Sequence, residues 1–268
     1  MLLSIYEKEK AEYFDRCMQS IWNDQTIKPN EIVLVIDGHI NNDLYLIIEK
    51  WKKNLGELFK IVSLKENMGL GIALNEGLKE CSFDLIARMD TDDISLSNRF
   101  EKQLNVFKSK DIDVCSGFIS EFIDSEENII SYRKLPENHD EIVVYSKTRN
   151  PLNHVTTMMK KTAICKVNGY KDMLWMEDYY LWIEMIRNNA KLYNLQETLV
   201  KVRVGNNMLS RRRGFEYIKA ELRFLKRLKE MNYLSNSEFI KNILIKVPLR
   251  MMPRIVLKFI YKVLRSKY

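Results

Sequence analysis

"FDLIARMDTDDISLS", residues 83–97, runs from an apolar stretch into three carboxylates, Asp90, Asp92 and Asp93, set within four positions. The apolar part has the length and composition of a buried strand, so the acidic turn falls at that strand's carboxyl end. The chain as a whole carries a net charge of +7, so this concentration of negative charge runs against its balance. One reading is an ordinary turn whose aspartates cap a helix starting near Ser97. The other is a site. Three carboxylates within about 6 Å repel one another, and a hard divalent cation relieves that repulsion while keeping places for phosphate oxygens.

The segments on either side decide what the turn belongs to. "LLSIY" (2–6) and the β-branched "EIVLVID" (31–37), closed by Asp37-Gly38, read as strands. Phe14, Met18 and Ile21 recur at helical spacing between them. A helix near 43–54, a strand "FKIVSL" (59–64) and a helix "GIALNEGLKEC" (71–81) lead to the strand over 83–90. A helix over 97–109 and a strand-like "IDVCSGFISEFID" (112–124) follow. Strand and helix alternating at this pitch predict an α/β fold, a mostly parallel central sheet flanked by helices. Ligands in such sheets bind at the carboxyl ends of the strands. That rule gathers Ser4, Tyr6, Asp37, Asn67 and Asp90–Asp93 around one crevice. Neither a G-x-G-x-x-G nor a Walker loop follows the first strand, and "MGLG" (68–71) is only a weak glycine pair.

Composition narrows the class. With 268 residues, 46% of them hydrophobic, the chain can bury one large core. Its four cysteines form no C-x-x-C pair, which suits a reducing compartment better than a disulfide framework. "MLLSIYEKEK" meets charge too early for a signal peptide, and no apolar stretch reaches the roughly 18 residues of a spanning helix. A cytoplasmic location is expected. Eight basic and no acidic residues lie from Lys241 to the end; removing them from the total of 43 leaves 35 basic against 36 acidic residues for positions 1–240, a net charge of −1. The body is neutral, and no aromatic platform lines a basic groove, which argues against nucleic acid as a partner.

At "LLSIYEKEKAEYFDRCMQSIWNDQTIKPNEIVLVIDG", "ENMGLGIALNEGL" and "LIARMDTDD" the chain resembles the N-terminal half of the family 2 glycosyltransferases. "RNPLNHVTTMMKK", "NGYKDMLWMEDYYLW" and "VRVGNNMLSRR" resemble the branch that builds bacterial O-antigen, capsule and exopolysaccharide repeats. The likeness covers roughly residues 1–213 in order. It implies the GT-A fold, with a nucleotide-binding half (1–110), an acceptor half (111–213) and a helical, basic extension (214–268). It implies further that Ser4 and Tyr6 lie beside the nucleotide base, that Asp37 accepts a hydrogen bond from uracil, and that Asn67 borders the nucleotide. Asp90 and Asp92 are the D-x-D carboxylates, with Asp93 in the same shell, and Mn²⁺ or Mg²⁺ is held by Asp92 and Asp93. Two departures stand out: Ile36 occupies a position where many members carry a second acidic residue, and Asn206 and Asn207 stand near where many carry a metal-binding histidine.

"WMEDYYLW" (175–182) is a second acidic site. Taken alone, Glu177 and Asp178 favour the positive end of a helix dipole while Tyr179, Leu181 and Trp182 face the core. Taken with the resemblance, Asp178 is the base that deprotonates the acceptor hydroxyl during inverting transfer, and Glu177 orients the acceptor or Asp178 itself. His154 and Trp175 are implied on the acceptor side. Arg203 and Arg211–Arg213 read as a solvated basic face or as a diphosphate grip. Residues 215–231 predict a helix with Phe215, Ile218, Leu222, Leu225 and Leu228 along one stripe. The basic end, interrupted by Pro248 and Pro253, reads as a packed helix or as an interfacial helix on a membrane. The combined expectation is a hexosyltransferase, galactose and a β-1,3 bond by preference, moving sugar from UDP to a polyprenyl-diphosphate-linked saccharide at the inner face of the cell membrane. Its alternatives are a glucosyl- or N-acetylhexosaminyltransferase, a nucleotidyltransferase and a non-catalytic membrane module.

Overall fold

The computed structural model describes residues 1–205 and 214–252. The first half builds as its pattern demands. Strands β1 (Leu2–Ile5), β2 (Ile32–Asp37) and β3 (Phe59–Leu64) pair in parallel in that order. All six residues of β2 are buried, as expected of an apolar run covered on both faces. Leu34 and Ile36 pack with Phe14, Met18 and Ile21 of α1 (Ala11–Ile21) and with Leu44, Ile48 and Trp51 of α2 (Asn42–Leu55). Val33 and Val35 point the opposite way, onto Ala73, Leu74 and Leu78 of α3 (Leu70–Glu80). The period of two along β2 thus divides the core into two layers.

The acidic stretch makes the junction to a second sheet. Its strand is shorter than the sequence suggests: β4 is Leu85–Ala87, tied to β1 by a parallel bridge between Leu2 and Arg88. After the turn the chain does not enter a helix directly. It forms β5 (Ile94–Ser95), antiparallel to β9 (Leu192–Arg203), before α4 (Arg99–Ser109) begins. The sheet runs β4-β8-β6-β9-β5, with β6 (Val114–Phe122), β7 (Ile129–Arg133) beside β6, and β8 (Met158–Lys160). Here β6 and β9 are parallel while the pairs β4·β8, β8·β6, β6·β7 and β5·β9 are antiparallel, so the parallel order governs the first half and the second half is mixed. The remaining helices are α5 (His139–Ser146), α6 (Lys161–Lys166), α7 (Glu177–Arg187), α8 (Phe215–Glu230) and α9 (Asn236–Met251).

Helix α7 is sandwiched. Leu181, Trp182 and Met185 join the main core, while Tyr179, Tyr180 and Ile183 pack on Phe224, Leu225 and Leu228 of α8. The buried stripe of α8 is rotated from the expected one: Tyr217, Glu221, Phe224, Leu225 and Leu228 face inward, and Phe215 is 70% exposed. Burial of Glu221 is possible because α9 answers it with Lys246 at 3.3 Å and Arg250 at 2.8 Å. Two cations expected on a solvated rim therefore turn into the protein. Pro248 does not break α9; it lies in the last turn and sacrifices only its own N–H donation.

Candidate active site

The first part of the candidate site is built from turns at the tips of the parallel strands. Gly38 has φ +85°, and a Cβ there would lie 2.6 Å from the Asn67 nitrogen, so only glycine lets the β2 turn approach the β3 turn. The nearly buried Asp37 then gathers that loop: Oδ1 accepts from the Met68 N–H at 2.7 Å and Oδ2 from the Gly69 N–H at 3.0 Å. Asn67 is exposed beside it and donates to the Asp37 carbonyl. Both Asp37 oxygens are thus engaged by the loop, a structural duty that the sequence reading, intent on a base contact, did not assign. Ser4, next to last in β1, accepts at its carbonyl from the Thr91 hydroxyl at 3.4 Å, and Tyr6 just beyond the strand is 38% exposed.

The three aspartates converge at the tip of β4, with one carboxylate oxygen from each within 4.8 Å of the others. Asp90 forms an ion pair with the buried Arg88. Asp93 is 1% exposed; its Oδ1 accepts from the Arg203 N–H at 3.0 Å, and its Oδ2 is buried without a partner among the described residues. Burial, then the charges of Asp90 and Glu9, push the Asp92 carboxyl up to about 7. Burial and the neighbouring aspartates push Asp93 well above the ordinary range. An orphaned carboxylate oxygen among hard oxygen donors that repel one another fits a divalent cation. Arg203 borders the cluster as expected: its guanidinium lies 3.8 Å from the Tyr13 ring centroid and 4.6 Å from that of Phe122, and its Nε donates to the Asp92 carbonyl at 3.3 Å.

The second acidic site begins at α7. Asp178 accepts at Oδ1 from the Tyr179 N–H and at Oδ2 from Asn150, each at 2.7 Å. Asn150 is fixed in turn, because Arg133 of β7 donates to its carbonyl and to Asn153 Oδ1, both at 2.7 Å. Burial raises the Glu177 carboxyl, Asp178 adds to the rise, and the charges of Arg88 and Asp90 are near enough to act on it. Arg88, paired with Asp90, thus lies within electrostatic reach of both acidic sites. His154 is half-buried; its Nε2 meets the Tyr170 hydroxyl at 2.8 Å, and its ring lies edge-on to Trp182. Burial and Arg88 keep this imidazole neutral well below its usual pKa. Asn75 of α3 grips Tyr170 at both backbone atoms, at 2.9 and 2.8 Å. Trp175, 44% exposed, precedes the helix.

Sequence reading missed four members of this set. Glu9 accepts from Thr91 at 3.0 Å and stands near the aspartates, raised chiefly by burial. Arg88, Asn150 and Tyr170 complete the group. Asn150 and Tyr170 lie inside motifs already singled out; a buried arginine in the strand before an acidic turn was the available signal for Arg88. Asn206, Asn207 and Arg211–Arg213 lie outside the described residues. A separate cleft of about 730 Å³ between α6, α7 and α8 is lined by none of the expected site residues.

Comparison with known proteins shows the family and the fold. The model of Glycosyl transferase family 2 matches residues 3–218. The chain is 39% identical over 266 residues to the amylovoran biosynthesis glycosyltransferase AmsE of Erwinia amylovora, covering 98% of this chain and 97% of the relative. It is 34% identical over 263 residues to the UDP-Gal:alpha-D-GlcNAc-diphosphoundecaprenol beta-1,3-galactosyltransferase of Escherichia coli, covering 98% and 94%. Among solved structures it superposes on the mannosyltransferase PcManGT from Pyrobaculum calidifontis, in complex with GDP-Man and Mn²⁺, with a TM-score of 0.63 at 11% identity, over 90% of this chain and 67% of that one. S. aureus TarS 1–349 in complex with UDP-GlcNAc gives 0.63 at 16%, over 90% and 70%. With the GT-A architecture, a family model matched over residues 3–218 and relatives aligned along almost the whole chain, the chain belongs to glycosyl transferase family 2.

Proposed function

We propose that this glycosyltransferase moves a hexose, galactose by preference, from a UDP-sugar onto a polyprenyl-diphosphate-linked saccharide, with inversion and a β-1,3 bond, in the assembly of a bacterial surface polysaccharide. The observation that carries the reading is the aspartate cluster with its orphaned Asp93 oxygen, accompanied by the separately held Asp178. The printed activity of the Escherichia coli relative supports the choice of donor and acceptor.

Asp92 and Asp93 would hold Mn²⁺ or Mg²⁺, with Asp90 beside them. The ion supplies positive charge against the departing diphosphate. Ser4, Tyr6, Asn67 and the loop held by Asp37 border the nucleotide, and Arg203 faces its phosphates. Asp178 removes the acceptor proton at a carboxylate oxygen, on the side away from the leaving group. Asn150 keeps that carboxylate aimed, and Glu177 orients the acceptor hydroxyl. His154 acts through Tyr170, which it holds at the cleft floor. Residues 1–110 serve the nucleotide, 111–213 the acceptor, and 214–268 are an extension, helical over Phe215–Glu230 and Asn236–Met251, that rests on a membrane surface at the cytoplasmic side. Exposed Ile240, Leu244, Ile245 and Met251 on α9 support the last point.

A screen of UDP-sugars against alkyl-diphosphate-linked mono- and disaccharides tests donor and acceptor together. Asp178→Asn is expected to cut transfer by about 10²–10⁴-fold while the donor KM stays within about twofold. Unchanged turnover in that variant removes Asp178 as the base.

A further inference from the structure

Trp175 is held in a way that packing alone does not call for. It has φ +63°, a left-handed conformation uncommon for a bulky residue, yet its side chain is 44% exposed. The indole is stacked on Tyr217 of α8, with centroids 5.2 Å apart and planes 19° from parallel. Tyr217 is buried, and behind it the Arg250 guanidinium of α9 lies 4.7 Å from the ring centroid. Arg250 donates to the buried Glu221 at 2.8 Å. A column of four side chains from three segments thus stiffens an aromatic ring that remains open to solvent. That ring precedes Glu177 and Asp178 at the start of α7.

We propose that Trp175 is a specificity-determining residue whose indole is the platform on which the acceptor's terminal sugar ring stacks. A pyranose has one face of C–H groups, and those polarised hydrogens meet the negative face of an aromatic ring while apolar surface leaves water. Backing from Tyr217 and Arg250 fixes the plane before substrate arrives, so little ordering cost remains at binding. The inference rests on the saccharide-acceptor reading above and adds the residue that chooses the acceptor. It also gives the C-terminal helices a part in the site, since α8 and α9 supply the support.

The test compares wild type, Trp175→Ala and Trp175→Phe, using the donor and the alkyl-diphosphate-linked saccharide that support turnover in the screen. Trp175→Ala is expected to raise the acceptor KM about tenfold with the donor KM within about twofold, and Trp175→Phe to recover most of the loss. Melting temperatures establish that both variants are folded. A folded Trp175→Ala enzyme with an unchanged acceptor KM overturns the platform and leaves the saccharide reading intact. An equal rise in donor and acceptor KM also overturns it, because the residue would then hold the cleft in general. Failure of every saccharide to accept sugar from wild type removes the underlying reading, and the platform with it.

Discussion

Glu177 forms no ion pair among the described residues although burial raises its carboxyl above the ordinary value of 4.5. Between 4.5 and the raised value the folded state holds a proton that the unfolded chain has already lost. Stability therefore falls as pH rises through that window and stays reduced above it. Glu177→Gln removes the penalty and keeps the shape. The variant is expected to melt higher than wild type at pH 8, with the difference closing below pH 4.5, while transfer drops roughly tenfold or more because the acceptor is less well aimed. Calorimetry at the two pH values, beside a turnover assay, checks both parts; a gain no larger at pH 8 than at pH 4 would count against an unpaired charge. Asp178, by contrast, is engaged by Asn150 and the Tyr179 amide, so the two adjacent acids have different duties. Their identity and a division of duties could be read from "WMEDYYLW", but the contact that holds Asp178 could not. It depends on Asn150, held by Arg133 from another strand. Arg88 was hidden for a similar reason: in sequence it merely interrupts an apolar run, whereas in the fold it is a buried cation under both acidic sites.

Among the elements, strand β2 and helices α1, α2 and α3 could be read directly, because each is long and its periodicity is set by one core. The two-residue β5 could not, since Ile94 and Ser95 become a strand only by pairing with Lys201 and Val200 far along the chain. The stripe of α8 was misjudged because a pattern treats glutamate as exposed, and the cations that bury Glu221 lie 25 and 29 residues further on. Glycine in the β2 turn was legible as a turn residue, but its contact was not. Gly38→Ala would place a methyl against the Asn67 nitrogen and force an L-residue into left-handed φ, costing about 1–2 kcal/mol for the conformation alone. The loop carrying Asn67 must shift and loosen its bonds to Asp37. A donor KM raised severalfold with acceptor KM unchanged is the expected outcome, measured in the transfer assay. Equal donor KM values for variant and wild type would mean that this turn does not border the nucleotide.

At the scale of the whole molecule, the helical extension packs against α7 and is the place where positive charge collects. The described part of α9 divides by face: Asn242, Lys246 and Arg250 look inward, while Ile240, Lys241, Leu244, Ile245 and Met251 are exposed. No described helix is long and apolar enough to cross a membrane. The inward cations cannot serve as surface charges without stranding Glu221, so deleting 241–268 would disturb α8 and Trp175 as well as any membrane contact. Substituting the outward face isolates the question. Each exposed leucine or isoleucine that enters the interface contributes about 1–2 kcal/mol, and each cation near an anionic leaflet about 1 kcal/mol. Ile240→Asp with Leu244→Asp therefore removes apolar contact and adds repulsion, leaving the Glu221 cluster untouched. The wild-type chain is expected to float with vesicles containing anionic lipid, to float less in high salt, and to stay behind with zwitterionic vesicles. The double variant is expected to lose flotation while still turning over a short-chain, water-soluble acceptor at the wild-type rate. Undiminished flotation would move the contact off this face of α9, and lost turnover on the soluble acceptor would make the face part of the catalytic support.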